Sequence, residues 1–223
     1  MFTGIIQAIG TLSSMERYGP DMRLRIKTGK LWLDDVALGD SISTNGVCLT
    51  VAALPGDGYI ADVSAETLTL STLASLSPGS KLNLEKSLTL STPLGGHFVS
   101  GHVDGIGQVL SRKRDGRSIR FEIEAPAALA RYIAHKGSIC VDGASLTVNA
   151  VNGSRFELNS VPHTLENSIM SGYLAGTRVN LEVDLIARYL ERLLLADKAA
   201  DPHTSDGITL ETLARLGYLR DRG

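Results

Sequence analysis

Short apolar or alternating runs, each closed by turn residues, recur along the chain at 5–12, 22–27, 41–43, 48–54, 59–63 and 81–84. Runs of this length and spacing predict strands of a small antiparallel barrel or sandwich. Asn45-Gly46 and Asp142-Gly143 are strong two-residue turn signals, which places Cys48 and Ser145 at the start of the strands that follow. Apolar stretches flanked by Gly or Pro predict short helices at 31–38 and 127–135. Pro93 and the Gly95-Gly96 pair make 89–96 a linker.

The pattern repeats. Displacing the sequence by 97 positions, with no gap, sets Gly4, Ile9 and Gly10 on Gly101, Ile106 and Gly107. The same shift sets Asn45 to Val51 on Asp142 to Val148, Thr67-Leu68 on Thr164-Leu165, and Asn83-Leu84-Glu85 on Asn180-Leu181-Glu182. About 25 of the 87 pairs from Phe2/Val99 to Leu88/Leu185 are identical, far above the chance rate at one fixed offset. The chain therefore divides into a first copy at 1–97, a second at 98–185, a helix at 186–200 and a tail at 201–223.

The helix has no counterpart in the first copy. Ile186, Tyr189, Leu190, Leu193 and Leu194 form its apolar stripe, and Asp184 suits its N-cap. Such a stripe needs a burial partner, either its own barrels or other copies of the chain, and its strongly apolar character favours self-association. In the tail, 208–219 forms one more amphipathic segment.

Composition narrows the classes. With 43% hydrophobic and 21% charged residues and a net charge of −2, the chain is neither disordered nor strongly basic. Arg112-Lys113-Arg114 is the one basic cluster and reads as a solvated hairpin tip, which argues against nucleic acid as a partner. No apolar run approaches the ~20 residues that span a bilayer, so no membrane association and a cytoplasmic address are expected. Cys48 and Cys140 are too few for a disulfide framework and lie in no zinc motif, and the spacing of His97 and His102 suits no metal either. No metal and no cofactor are expected.

A duplicated barrel can hold two similar ligands, so the informative positions are those where reactive side chains differ between the copies. Cys48 stands against Ser145, Asn45 against Asp142 and Ile5 against His102. The segments Asp62 to Thr67 and Asn159 to Thr164 are both rich in groups that can bond a polar heterocycle or polyol. Each has a plain structural reading: Cys48 as a small buried hydrophobe, Asp142-Gly143 as a turn, His163 as a surface residue.

The combination is more specific. The opening Met-Phe-Thr-Gly-Ile-Ile, Asn45-Gly46-Val47-Cys48-Leu49-Thr50-Val51, the run Gly95 to Gly105, Lys136-Gly137-Ser138-Ile139 and Asp142 to Val148 together resemble the riboflavin synthase family of the α-chain type. The resemblance covers residues 1 to about 195. It implies an all-β fold of two tandem six-stranded Greek-key barrels with a C-terminal helix that joins three chains, and a site between the N-barrel of one subunit and the C-barrel of its neighbour. It implies a transferase that dismutates two molecules of 6,7-dimethyl-8-ribityllumazine into riboflavin and 5-amino-6-ribitylaminouracil, with association with lumazine synthase as a further expectation.

By the same resemblance the first lumazine site comprises Gly4, Ile5, Ile6, Cys48, Leu49, Thr50, Asp62, Val63, Ser64, Ala65, Glu66 and Thr67. The second comprises Gly101, His102, Val103, Lys136, Ser145, Leu146, Thr147, Asn159, Ser160, Val161, Pro162, His163 and Thr164. Cys48, His102, Asp142 and Ser145 are the expected catalytic residues, with a Ser145–Asp142 pair as a candidate for activating a hydroxyl or water. The rival reading is a non-catalytic lumazine or flavin carrier, which typically retains one pocket. Here both copies keep their polar sets.

Overall fold

Both turn dipeptides close two-residue hairpins in the computed structural model, which describes residues 1–200. Thr44 pairs with Val47 and Val141 with Ala144, and all four central residues have positive φ, from 43° at Asp142 to 84° at Gly143. That is the geometry Asn-Gly and Asp-Gly favour.

The first barrel contains β1 (Ala8–Tyr18), β2 (Asp21–Lys27), β3 (Ser41–Thr44), β4 (Val47–Ala53), β5 (Gly58–Val63) and β6 (Lys81–Lys86). It closes in the order β1-β2-β5-β4-β3-β6. The second contains β7 (Gly105–Asp115), β8 (Ser118–Glu124), β9 (Ser138–Val141), β10 (Ala144–Asn152), β11 (Arg155–Ser160) and β12 (Arg178–Val183), and closes in the corresponding order. Two closed six-stranded Greek-key barrels thus replace the barrel-or-sandwich alternative. Closure leaves neither sheet an unpaired edge.

Alternation fills each core. In the first, Leu24, Ile26, Ile42, Leu82 and Leu84 are inaccessible, and in the second Phe121, Ile123, Leu158, Val179 and Leu181 are. β1 and β7 run on past their cores as exposed arms, and Arg112, Lys113 and Arg114 lie near the tip of the β7–β8 hairpin as expected.

The short helices depart from expectation. Residues 31–38 form successive turns, with Val36 N–H on Leu33 O (2.9 Å) and Asp40 bonding the backbone of Ala37 (2.8 Å). Leu31 is buried while Leu33 and Val36 pack at the core edge, and this 2-and-3 spacing does not make one helical face. In the second copy only a 3₁₀ helix, Ala127–Tyr132, forms. Two short helices instead follow the fifth strands: α1 (Ala65–Leu70), capped by Ser64, and α2 (Pro162–Asn167), with Pro at its start.

Both barrels lie within one compact unit, Met1–Asp184, and a second unit begins at Leu185. In the latter, α3 (Leu185–Leu195) has no buried residue, and Tyr189, Leu190 and Leu193 are each more than half exposed. No described helix is long and apolar enough to cross a membrane. The amphipathic segment at 208–219 lies outside the described residues.

A buried polar seam joins the barrels, and its two sides correspond. Asn83 Nδ2 donates to Asp142 O and Asn180 Nδ2 to Asn45 O, both at 2.8 Å. Asn45 Oδ1 accepts the Asn83 N–H and Asp142 Oδ1 the Asn180 N–H, both at 2.7 Å. The two turns meet back to back, since a Cβ on Gly46 would lie 2.7 Å from Gly143 N. The second copy differs in having a carboxylate, whose other oxygen accepts the Tyr173 hydroxyl.

Burial pushes the Asp142 carboxyl up to about 7, although both hydrogen bonds favour its charged form. Because the folded pKa lies above the unfolded value of about 3.9, the folded state binds the extra proton. The resulting stability is complete below the unfolded pKa and is lost as pH rises through 7. Urea unfolding of the natural chain and of Asp142→Asn, which installs the residue of the first barrel, is expected to show the natural chain losing on the order of 3 kcal/mol relative to the variant between pH 4 and pH 7.5. A difference independent of pH would refute this assignment.

Candidate functional site

Residues 2–4 and 99–101 lead into the two barrels and pair with each other, Phe2 N–H on Val99 O (2.7 Å) and Val99 N–H on Phe2 O (3.1 Å). Each lead is held by a glutamate of its own copy. Glu85 accepts the Thr3 N–H (2.7 Å), the Thr3 hydroxyl (2.6 Å) and the Gly4 N–H (2.9 Å). Glu182 does the same for Ser100 and Gly101, at 2.6, 2.7 and 2.9 Å.

So fixed, each lead crosses to the other barrel. Ser145 N–H donates to Gly4 O and Cys48 N–H to Gly101 O, both at 2.8 Å. The expected grouping is therefore corrected: Gly4, Ile5 and Ile6 belong with Ser145, and Gly101, His102 and Val103 with Cys48. The crossing itself is the physical reason, since each lead extends the strand start of the opposite copy.

Two clefts result. One, of about 230 Å³, is lined by Val47, Cys48, Glu66, Thr67, Leu70, Ser71, Gly101, His102 and Val103. The other, of about 160 Å³, is lined by Ala144, Ser145, His163, Thr164, Asn167, Ser168, Gly4, Ile5 and Ile6. Every residue of one has its counterpart in the other at the 97-residue offset. Both are smaller than the roughly 300 Å³ at which pockets enclose a ligand of ordinary size.

The reactive groups differ. Cys48 is half-buried and free, and His102 stands exposed at the same cleft. In the other cleft the Ser145 hydroxyl lies 2.7 Å from His97 Nδ1, a nucleophile-and-base arrangement. Burial lowers the His97 pKa below its ordinary value, partly countered by Asp184, so the ring is neutral near pH 7 and Nδ1 can accept the hydroxyl proton. Nε2 is buried and has no hydrogen-bond partner among the described residues. A Cβ on Gly96 would come within 2.9 Å of the Ser145 oxygen, so only glycine lets the two groups meet.

Asp142 does not join this group. Its carboxylate is committed to Asn180 and Tyr173 inside the second barrel, which corrects the expected Ser145–Asp142 pair. Leu49 and Val63 point into the first core, and the Ser160 hydroxyl is buried against Met170. Asp62 is exposed and paired to Arg23 at 2.7 and 2.8 Å, while Asn159 is half-buried and its Oδ1 has no partner among the described residues. Ser64 and Ala65 start α1, and Val161 and Pro162 start α2. Lys136 occupies a left-handed turn where the first copy has Gly39, and, like Thr50, Leu146 and Thr147, it lines neither cleft.

Sequence reasoning missed His97, Val47, Leu70, Ser71, Ala144, Asn167 and Ser168. For Leu70, Ser71, Asn167 and Ser168 the repeat itself carries a signal, since the helices after β5 and β11 occupy matching positions, while Val47 and Ala144 adjoin Cys48 and Ser145 at the strand starts.

A barrel built twice, with matching clefts closed by exchanged leads, defines the class, and the lumazine-binding domain family matches both copies, at residues 3–87 and 100–184. The chain is 45% identical to the riboflavin synthase of Photobacterium phosphoreum over 219 residues, covering 98% of this chain and all of the relative. It is 39% identical to that of Bacillus subtilis strain 168, covering 98% and 100%. It is 46% identical to that of Mycobacterium bovis, covering 87% and 98%. The chain belongs to the riboflavin synthase family. Among solved structures, LumP complexed with riboflavin superposes with a TM-score of 0.77 at 24% identity, covering 82% of this chain and 99% of the other, and so shares the fold.

The crossing predicts its own test. A Cβ on Gly101 would lie 2.7 Å from Cys48 Cβ and 3.0 Å from its backbone nitrogen, at a φ of +81°. Gly101→Ala is expected to destabilise the protein by about 1–3 kcal/mol and to perturb ligand binding at the Cys48 cleft. Thermal melting with flavin titration checks both effects, and an unchanged melt would contradict the close approach.

Proposed function

We propose that this chain catalyses the riboflavin synthase reaction, in which one 6,7-dimethyl-8-ribityllumazine gives a four-carbon unit to another. The products are riboflavin and 5-amino-6-ribitylaminouracil. The observation that carries this reading is the pair of corresponding clefts with unequal reactive groups, Cys48 and His102 in one and Ser145 with His97 in the other. A dismutation needs the same compound bound twice in different roles, and matching backbones with different side chains supply that.

The backbone groups of the leads and strand starts can meet the edge of the heterocycle, while Thr67, Thr164 and nearby polar groups hold the ribityl chain. Neutral His97 can take the Ser145 proton as that oxygen, or a water beside it, adds to a ring carbon. Alignment of two bound reactants contributes on the order of 7–11 kcal/mol in favourable systems, so modest bases suffice.

A homotrimer joined through α3 is part of this reading, with the cleft of one subunit's first barrel facing that of a neighbour's second barrel. The small size of each cleft supports completion by a facing surface, and the exposed Tyr189, Leu190 and Leu193 supply an apolar face for association. Association with lumazine synthase and a cytoplasmic address belong to the same reading.

Mixing the protein with the lumazine and following flavin fluorescence tests the activity; bound but unconverted substrate would make the protein a carrier. In that assay Ser145→Ala is expected to lower turnover at least tenfold, about 1.4 kcal/mol of transition-state stabilisation, with little change in ligand affinity. Equal losses in affinity and rate would make Ser145 a recognition residue. Ending the chain at Asp184 keeps every strand, and sedimentation is expected to show loss of the trimer together with most turnover. A fully active trimer of the shortened chain would refute the role given to α3.

A further inference from the structure

At positions 112 and 117 the arm of the second barrel carries arginine where that of the first carries an uncharged residue, and at 114 both arms carry arginine. Residues opposite each other in a ladder share a face, and Arg112 stands opposite Phe121 and Arg114 opposite Ile119. Phe121 is inaccessible in the core and Ile119 packs at its edge, so both arginines leave the strand on the core side. In the first barrel the matching residues are Met15, opposite Leu24, and Arg17, opposite Met22, and both methionines pack on that core. At the turn, Arg117 matches Pro20.

These three arginines and α2 enclose a cleft of about 410 Å³ with Ile119, Pro162 and Leu165 as its apolar walls. Glu166 is the single carboxylate lining it, leaving an excess of two positive charges. Among the described residues, none of the three arginines has a carboxylate at ion-pair distance, and Arg114 Nε donates only to Gly116 O at 3.3 Å. On the outer face of the same arm Arg120 instead pairs with two carboxylates, Asp115 (2.7 Å) and Glu157 (2.9 Å). Like charges gathered on a core-side face repel each other and displace packing that the first barrel keeps. An anionic ligand offsets both.

We propose that this cleft binds a phosphate monoester with an apolar or aromatic body, at a site separate from the two lumazine clefts. A monoester dianion matches the excess of two charges, guanidinium forks suit its oxygens, and the apolar walls take the body of the molecule. The site borders the Ser145 cleft through α2: Pro162, Leu165 and Glu166 face the arginines while His163, Thr164 and Asn167 line the other side.

Calorimetric titration of the full chain with phenyl phosphate tests this. One saturable site per chain is expected, bound at least tenfold more weakly by Arg112→Met, unaffected by saturating riboflavin, tighter than inorganic phosphate and closed to benzyl alcohol. Arg117→Ser, a change in an exposed turn, is expected to weaken binding severalfold and serves if the first variant does not fold. No saturable binding, equal binding by both variants, displacement by riboflavin, or equal affinity for inorganic phosphate would each overturn the proposal.

Discussion

The carboxylates of Glu85 and Glu182 sit where the two copies exchange their leading segments, and each accepts three hydrogen bonds from the segment it holds. Burial raises both carboxyls above their usual range, while those donors and nearby charge favour the ionised form. Either glutamate replaced by an apolar residue would leave two backbone N–H groups and a hydroxyl unpaired in the seam, which is far more damaging than the loss of one exposed ion pair. With the leads held, the carbonyls of Gly4 and Gly101 fall on the strand starts of the opposite barrels, and both clefts take shape. Neither barrel therefore owns a complete cleft.

This arrangement separates what must stay alike from what can differ. The seam demands matching backbones and matching amides, and Asn83 and Asn180 meet that demand with equivalent bonds to the opposite turns. The side chains facing the clefts are under no such restraint. Cysteine and serine are exchanged across paired strands: Cys48 lies opposite Ser43, and Ser145 opposite Cys140. Burial raises the Cys140 thiol well above its usual value, which makes it inert packing, whereas Cys48 is half-buried at the cleft. The same two residue types thus give opposite chemistry on the two sides.

The strands and the duplication were legible because they rest on local signals, two-residue turns and period-2 alternation, repeated at one offset. Residues 31–38 mislead because apolar content mimics a helix, while bonds from the Ala37 N–H to Asp40 and from Lys86 Nζ to Asp35 hold the segment as separate turns. The grouping of the site residues was not legible. Copy membership suggested that Gly4 belongs with Cys48, and only the crossing of the leads shows that it belongs with Ser145. His97 is hidden for a related reason: its partner Ser145 lies 48 residues away, beyond any local spacing of histidines.

Distance from the seam governs where the copies diverge. Strands that border the seam keep identical residues at Asn83/Asn180, Leu84/Leu181 and Glu85/Glu182, because any change there must be matched across a buried, hydrogen-bonded surface. The hairpin arms project past their cores, and there Met15 packs apolar surface in one copy while Arg112 is exposed in the other. A stabilising methionine contact is worth about 1 kcal/mol or more, and an excess of two positive charges around the cleft adds repulsion, so such an arm is a net loss to a barrel selected for stability alone. Its presence in only one of two otherwise matched barrels is the physical ground for assigning the second arm a ligand rather than a structural role.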